Sequence, residues 1–264
     1  MTDTIGFIGA GKMGFALAQS LQVAGLAPNI VVYDILDARC ELFVHELTSV
    51  SIAANAAEVC RNSNTTFLAI KPQDVAKAAS NINFYDRMII SIVAGVSLSQ
   101  LATFMPNARI VRVMPNAPCL VGEMAAGFAM GHGTDDSDRK TVNRLLTAAG
   151  VAFEVPEKQI DIITGLSGSG PAYFARFIEW FSMAGEQLGL DPQVATALTV
   201  QTALGTARLI QQRSITPGDL VDMVSSPGGT TVAGRRILES GAVRKAIERT
   251  VATATARSRE LGEM

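Results

Sequence analysis

From residue 4 to about residue 155, short apolar runs alternate with helix-length amphipathic segments. The runs at 5–8, 30–33, 66–70, 88–92, 110–114 and 127–130 read as strands. Between them, residues 13–24, 38–46, 54–61, 75–81 and 139–149 read as helices with one apolar face. This alternation predicts βαβ units and a mostly parallel sheet. Ligands of such sheets bind beyond the carboxyl ends of the strands, so the residues that follow each run are the ones to inspect.

After Pro156 the strand rhythm stops and only helices are predicted. Residues 171–188 place Phe174, Phe177, Ile178, Phe181 and Leu188 on one stripe. Residues 192–207 hold no charge at all, yet they include Gln193, Thr196, Thr199, Gln201, Thr202 and Thr206. Such a helix is too polar for lipid and too uncharged for a water-facing surface, so protein should cover it all round. So short a region cannot enclose a whole helix and keep its other helices amphipathic, which predicts cover from a second subunit. Val243, Ala246, Ile247, Thr250, Val251 and Ala254 form the stripe of a last helix. The expected architecture is an α/β domain over 1–155 followed by an all-helical domain over 156–264.

Composition narrows the class. Charged residues make up 17% of the 264 positions against the usual share of about 25%, and hydrophobic residues make up 48%. A chain this apolar is folded rather than disordered, and no apolar run approaches the roughly 18 residues of a spanning helix. Lys plus Arg number 22 and Asp plus Glu 24, with no basic footprint for nucleic acid. Three cysteines without CxxC spacing suggest neither a disulfide framework nor a zinc site. Gly6, Gly9, Gly11 and Lys12 cut the first apolar stretch, which is not the pattern of a signal peptide. A reducing cytoplasm is expected.

Three glycine-rich segments precede predicted helices. Gly9, Gly11 and Gly14 form GxGxxG directly after a strand, the context in which main-chain N–H groups and a helix N-terminus hold a pyrophosphate. This predicts a dinucleotide-binding domain of Rossmann type. Asp34 ends the second strand, 20 residues beyond Gly14, where an acid binds the ribose hydroxyls of NAD. Lys12 and Arg39 could each serve the 2′-phosphate of NADP or be solvated surface cations, so NAD and NADP both stay open. The second segment, Ser167 to Pro171, reads as a helix cap with proline at the first helical position. In the third, Ser225, Ser226, Pro227, Gly228, Gly229, Thr230 and Thr231 form a longer run than a cap requires. Its N–H donors and two hydroxyls suit a carboxylate.

The missing residues also speak to the chemistry. Alcohol oxidation needs a general base near the nicotinamide, usually His or Lys. The two histidines, His45 and His132, lie in the nucleotide-binding half on surface-type segments, and the helical half has only Lys158 and Lys245 as lysines. A protonated cyclic imine needs no such base: hydride adds to carbon, and the protein need only position the ring and its counter-charge.

Six blocks carry a family resemblance along the whole chain: IGFIGAGKMG at 5–14, Lys71 and Pro72, VAGV at 93–96, MPNAP at 114–118, TGLSGSGPAY at 164–173 and DMVSSPGGTT at 222–231. The sequence resembles the pyrroline-5-carboxylate reductases. The resemblance implies reduction of 1-pyrroline-5-carboxylate to L-proline by NAD(P)H, the last step of proline biosynthesis. It implies that Gly9, Ala10, Gly11, Lys12, Met13 and Gly14 hold the pyrophosphate and that Asn55 lies on the adenosine ribose side. Ala69, Lys71, Pro72, Ala94, Gly95, Pro115 and Asn116 would line the cofactor, Lys71 having a surface cation as its alternative. The substrate carboxylate would sit on Gly229, Thr230 and Thr231, with Ser225 and Gly228 in the same loop and the Thr231 hydroxyl near the ring nitrogen. Glu157 matches a substrate-side acid of some relatives, though a first-turn acid is favoured there anyway. The helical domain would interlock into a homodimer, which in relatives sometimes assembles further. Asp34 departs from the small polar residue frequent in relatives.

Two other functions compete. A 3-hydroxyacid dehydrogenase would resemble the chain at Gly9 to Gly14 but place a catalytic lysine on the helix after Gly170, where the first cation here is Arg176. A non-catalytic dinucleotide sensor would bind cofactor without turnover and leave the 225–231 loop unexplained.

Overall fold

The computed structural model describes residues 4–80, 82–84 and 86–263. Eight strands form one sheet: β1 (Thr4–Ile8), β2 (Asn29–Tyr33), β3 (Val50–Ile52), β4 (Thr65–Leu68), β5 (Met88–Ser91), β6 (Arg109–Met114), β7 (Met124–Met130) and β8 (Gly150–Glu154). Their order is β3-β2-β1-β4-β5-β6-β7-β8. Every pairing is parallel except β6 with β7. The direction of winding reverses between β1 and β4, and that switch point opens the crevice in which doubly wound sheets bind ligands.

The six expected strands are present, with β7 beginning three residues earlier than its apolar run. β3 and β8 were not expected: β3 is three residues long with Ser51 at its centre, and the apolar part of β8 spans only Val151 to Phe153. Side chains alternate between two cores, as the period of two demands. On one face Phe7, Phe67, Ile90 and Val111 pack with helices α1 (Lys12–Val23), α2 (Asp37–Glu46) and α6 (Asp136–Thr147). Phe7 stacks on Phe67 at 5.1 Å and meets Phe43 edge-on at 5.8 Å, an aromatic cluster of the kind that adds about 0.5–1.5 kcal/mol per pair beyond its buried area. The other face packs Ile8, Leu68, Ile89 and Ile110 with α3 (Ala56–Asn62), α4 (Val75–Ala79) and α5 (Leu98–Phe104). The expected helix over 75–81 is thus shorter, and its final residue, Asn81, lies outside the described residues. The seven-residue α5 was not expected; a capping box of Ser97 and Gln100 starts it.

Beyond β8 the chain is helical: α7 (Ile160–Ile163), α8 (Gly170–Gln187), α9 (Pro192–Arg213), α10 (Pro217–Met223), α11 (Thr230–Leu238) and α12 (Ala242–Glu263). Residues Thr164–Gly168 between α7 and α8 form a π-helix. The second glycine-rich segment is therefore not a capped helix start. Ser169 is itself in right-handed helical conformation and donates its N–H to the Thr164 carbonyl at 2.9 Å, so the helical path runs on through it.

By contacts the chain divides into two compact units, Met1–Ser169 with Ala252–Met264, and Gly170–Val251. In the first the core is closed. In the second, α9 buries only Ala195 and leaves Val194, Leu198, Val200 and Leu204 exposed. A groove of about 600 Å³ lined by Phe177, Trp180, Phe181, Ile247 and Val251 is open as well. No helix among the described residues is long and apolar enough to cross a membrane.

Candidate active site

The site is best built outward from the switch point. Gly9 follows β1 with φ +102°, and a Cβ there would lie 2.4 Å from the Ala69 carbonyl oxygen, so only glycine lets the ends of β1 and β4 approach this closely. A Cβ on Gly14 would stand 2.7 Å from the Gly9 carbonyl oxygen, which lets α1 start against the turn. At Gly11 a Cβ would meet nothing within 4 Å: the space beside this main chain is open to a ligand. Gly11 caps α1 without a side-chain hydrogen bond. Among the described residues the N–H groups of Lys12, Met13 and Gly14 have no hydrogen-bond partner; the first engaged is that of Phe15, on the Gly11 carbonyl at 2.9 Å. Three free donors at the positive end of a twelve-residue helix, in front of open space, fit a pyrophosphate.

Main-chain bonds tie the neighbouring strand ends into one edge. Gly9 donates to Tyr33 at 2.8 Å, Ala69 to Ile8 at 2.8 Å, and Ile92 to Leu68 at 3.0 Å. That edge carries Asp34, Ala69, Lys71, Ala94, Gly95, Pro115 and Asn116, so the fold brings these sequence candidates to one side of the sheet.

Their individual surroundings differ. Asp34 is buried, accepts from Ala10 N–H at 2.8 Å and Leu36 N–H at 3.0 Å, and has the Arg39 guanidinium at 3.4 Å. Its carboxylate steadies the glycine turn and, with about four lone-pair sites, still has capacity for a ribose. Asn55 caps α3 by accepting from Glu58 N–H at 2.9 Å. Lys71 is exposed and extended (φ −77°, ψ 151°) ahead of Pro72, which opens a 3₁₀ turn. Pro115 and Asn116 are buried, and both ends of the Asn116 amide are engaged, donating to the Ser167 carbonyl at 3.0 Å and accepting from Ala125 N–H at 2.9 Å.

Glu157 stands in the first unit with its Oε1 on two donors: Leu98 N–H at 2.6 Å and Arg112 at 3.2 Å. Arg112 also faces Asp161 at 3.5 Å, and Ser258 donates to that carboxylate at 2.8 Å. Sequence reasoning missed this cluster. Its signal was an arginine at an inward position of an apolar strand, RIVRVM, which has to be paired because leaving such a charge alone costs about 3–5 kcal/mol.

In the second unit, Gly228 turns the chain with φ +72°, and a Cβ on Gly229 would meet the Ser226 Oγ at 2.6 Å and its carbonyl oxygen at 3.0 Å. Gly229 caps the nine-residue α11 with no side-chain bond. The N–H groups of Thr230, Thr231 and Val232 have no partner among the described residues; the first engaged is that of Ala233, on the Gly229 carbonyl at 3.3 Å. Both threonines are exposed. The Ser225 hydroxyl is already taken, donating to Val221 at 2.6 Å and accepting from Arg235 at 3.2 Å. Among the described residues no group of His, Cys, Asp and Glu could hold a metal ion.

A doubly wound sheet with an uncapped, glycine-led helix at its switch point, followed by helices that carry a second such start, defines a dinucleotide-dependent oxidoreductase. Comparison with known proteins specifies it further. Residues 157–261 match the pyrroline-5-carboxylate reductase dimerisation family, and residues 4–95 the NADP oxidoreductase, coenzyme F420-dependent family. A pyrroline-5-carboxylate reductase of Methanosarcina acetivorans is 39% identical over 98% of both chains. The solved pyrroline-5-carboxylate reductase of Coxiella burnetii superposes with a TM-score of 0.92 at 31% identity over 100% of both chains. That of Plasmodium falciparum, solved with NADP bound, gives 0.85 at 30% identity over 98% of both. The chain belongs to the pyrroline-5-carboxylate reductase family. It is an NAD(P)H-dependent oxidoreductase that reduces pyrroline-5-carboxylate to proline.

Proposed function

We propose the following residue roles for that reaction. The free N–H groups at the head of α1, with Gly9, Ala10 and Gly11, hold the pyrophosphate, Lys12 and Met13 flank it, and Asn55 lies on the adenosine side. Asp34 meets the ribose hydroxyls. Ala69, Lys71, Pro72, Ala94 and Gly95 line the remainder of the cofactor, while Pro115 and Asn116 act from beneath, Asn116 by fixing the Ser167 carbonyl. Main-chain donors hold the Asp34 carboxylate in place, so it cannot turn away from a 2′-phosphate, and NADH is the preferred cofactor.

Bound nicotinamide supplies the hydride for the imine carbon. Gly229, Thr230 and Thr231 take the substrate carboxylate on the N–H groups at the head of α11, with Gly228 shaping the turn and Ser225 bracing it through Arg235. The Thr231 hydroxyl points the ring nitrogen and is the catalytic group. The observation that carries this reading is the head of α11: three donors without a partner among the described residues, behind a glycine whose Cβ would run into the Ser226 hydroxyl. Glu157 is the weakest of the substrate candidates, because Leu98 and Arg112 already occupy its Oε1.

The functional boundary falls at 155/156, a division supported by the dimerisation match that begins at residue 157. The exposed apolar residues of α8 and α9 support a homodimer; assembly of dimers into a larger oligomer and a cytoplasmic location complete the reading. Nicotinamide absorbance, followed while the purified protein receives pyrroline-5-carboxylate with NADH and then NADPH, tests activity and preference together. Faster oxidation of NADPH would reverse the cofactor assignment, and hydroxyacid oxidation at a rival rate would overturn the substrate.

A further inference from the structure

The loop that leaves the carboxyl end of β5 turns at Gly95 with φ +74°, and it is gripped at both ends by residues distant in sequence. At its far end Leu98 donates its N–H to Glu157 Oε1 at 2.6 Å, and Glu157 is held in turn by the buried Arg112. At Gly95 the grip is main chain on main chain, made by the last turn of α12. A Cβ on Gly95 would sit 3.4 Å from the Leu261 carbonyl carbon and oxygen, and a Cβ on Gly262 would sit 2.9 Å from the Gly95 carbonyl oxygen. Gln100 Nε2 donates to the Gly262 carbonyl at 3.1 Å, and Ser258, one turn earlier, donates to Asp161, the other carboxylate facing Arg112. One connected set of bonds therefore runs from Glu157 through Arg112 and Asp161 to α12 and back to the loop.

We propose that Glu157 and the final turn of α12 at Leu261 and Gly262 are positioning elements for cofactor binding: they hold the 93–98 loop ready for the dinucleotide. The proposal rests on the reading that Ala94 and Gly95 line the cofactor. A glycine-containing loop between elements is the part of a sheet protein that opens most readily, and ordering it on binding weakens affinity. Here the ordering is done during folding by contacts that never touch the ligand. Glu157 acts through Leu98 N–H, and Gly262 acts by lacking a side chain where a methyl group would push on the Gly95 carbonyl.

The test measures dissociation constants of NADH and NADPH by calorimetry on the full-length protein, alongside melting temperature and steady-state kinetics. Three variants are compared: Gly262→Ala, Glu157→Ala and Gly95→Ala. Gly262→Ala is the cleaner probe, since it alters the last turn of a terminal helix, whereas Glu157→Ala leaves a buried arginine short of one partner. Both should weaken cofactor binding by about 3- to 10-fold, the scale of one or two ordered groups, and raise the cofactor KM, Gly262→Ala with kcat nearly unchanged. A lower melting temperature with wild-type dissociation constants in both variants, while Gly95→Ala binds weakly, overturns the proposal and leaves the cofactor-lining reading standing. Wild-type affinity in all three overturns both.

Discussion

The heads of α1 and α11 present the same chemistry in opposite surroundings. Each offers three main-chain N–H groups without a partner among the described residues, behind a glycine cap that has no side-chain bond. Helix α1 is rooted in a closed core, burying Gly14, Ala16, Leu17, Ala18 and Leu21. Helix α11 buries no residue at all. An uncapped helix start can hold an anion without burial of its own, because the donors are fixed by the helix. Hydride transfer asks for more, since water has to be kept from the reacting ring. The head of α1 is backed by buried residues of its own chain, and on the proposed roles the head of α11 requires cover from a second copy.

The largest expected effect breaks that cover. Leu198 is exposed on the uncharged stretch of α9, and Leu198→Asp should weaken the dimer on the order of 100-fold, as charge placed in an apolar interface does. Light scattering and activity should fall together, and a folded, fully active monomer would contradict the need for a second copy. Next in size is Thr231→Ala, expected to lower turnover by the order of 10- to 100-fold with the cofactor dissociation constant unchanged. An unaltered kcat would remove Thr231 from its role.

Asp34→Ala addresses the other helix start. Removing the fixed charge near the ribose should move the ratio of specificity constants toward NADPH by about tenfold, the scale of one partly screened like-charge repulsion. The smallest effect concerns the closed core itself. Cys40, Cys60 and Cys119 are all buried in the first unit, and burial pushes each thiol upward, Cys119 to about 11. The thiolate is the reactive form, so at pH 8 about one Cys119 in a thousand would be ionised. Alkylation of the folded protein should be slow and should quicken with rising pH toward that value; rapid labelling at pH 8 would show the core to be open.

Much of this contrast is legible in the chain. GxGxxG after an apolar run specifies the head of α1, and the seven small or special residues from Ser225 to Thr231 specify the head of α11, because both depend on local backbone geometry. Uncharged residues 192–207 foretell the unfinished cover. Features set by tertiary contact are not legible. The edge strands β3 and β8 offer apolar stretches of three residues or fewer, too short to stand out, and only pairing with β2 and β7 makes them strands. Ser167 to Pro171 reads as a cap, yet hydrogen bonding with wider spacing over Thr164–Gly168 carries the helix into it. Glu157 reads as a free first-turn acid, and only folding brings Arg112, 45 residues away, to its side.

A crystal structure of the protein with proline bound is the most direct test of whether main-chain donors, rather than a proton-shuttling side chain, present the ring for reduction. The proline carboxylate should lie about 3 Å from the N–H groups of Thr230 and Thr231, with the Thr231 hydroxyl beside the ring nitrogen. A proline whose carboxylate is held elsewhere, with the head of α11 bare, would contradict it.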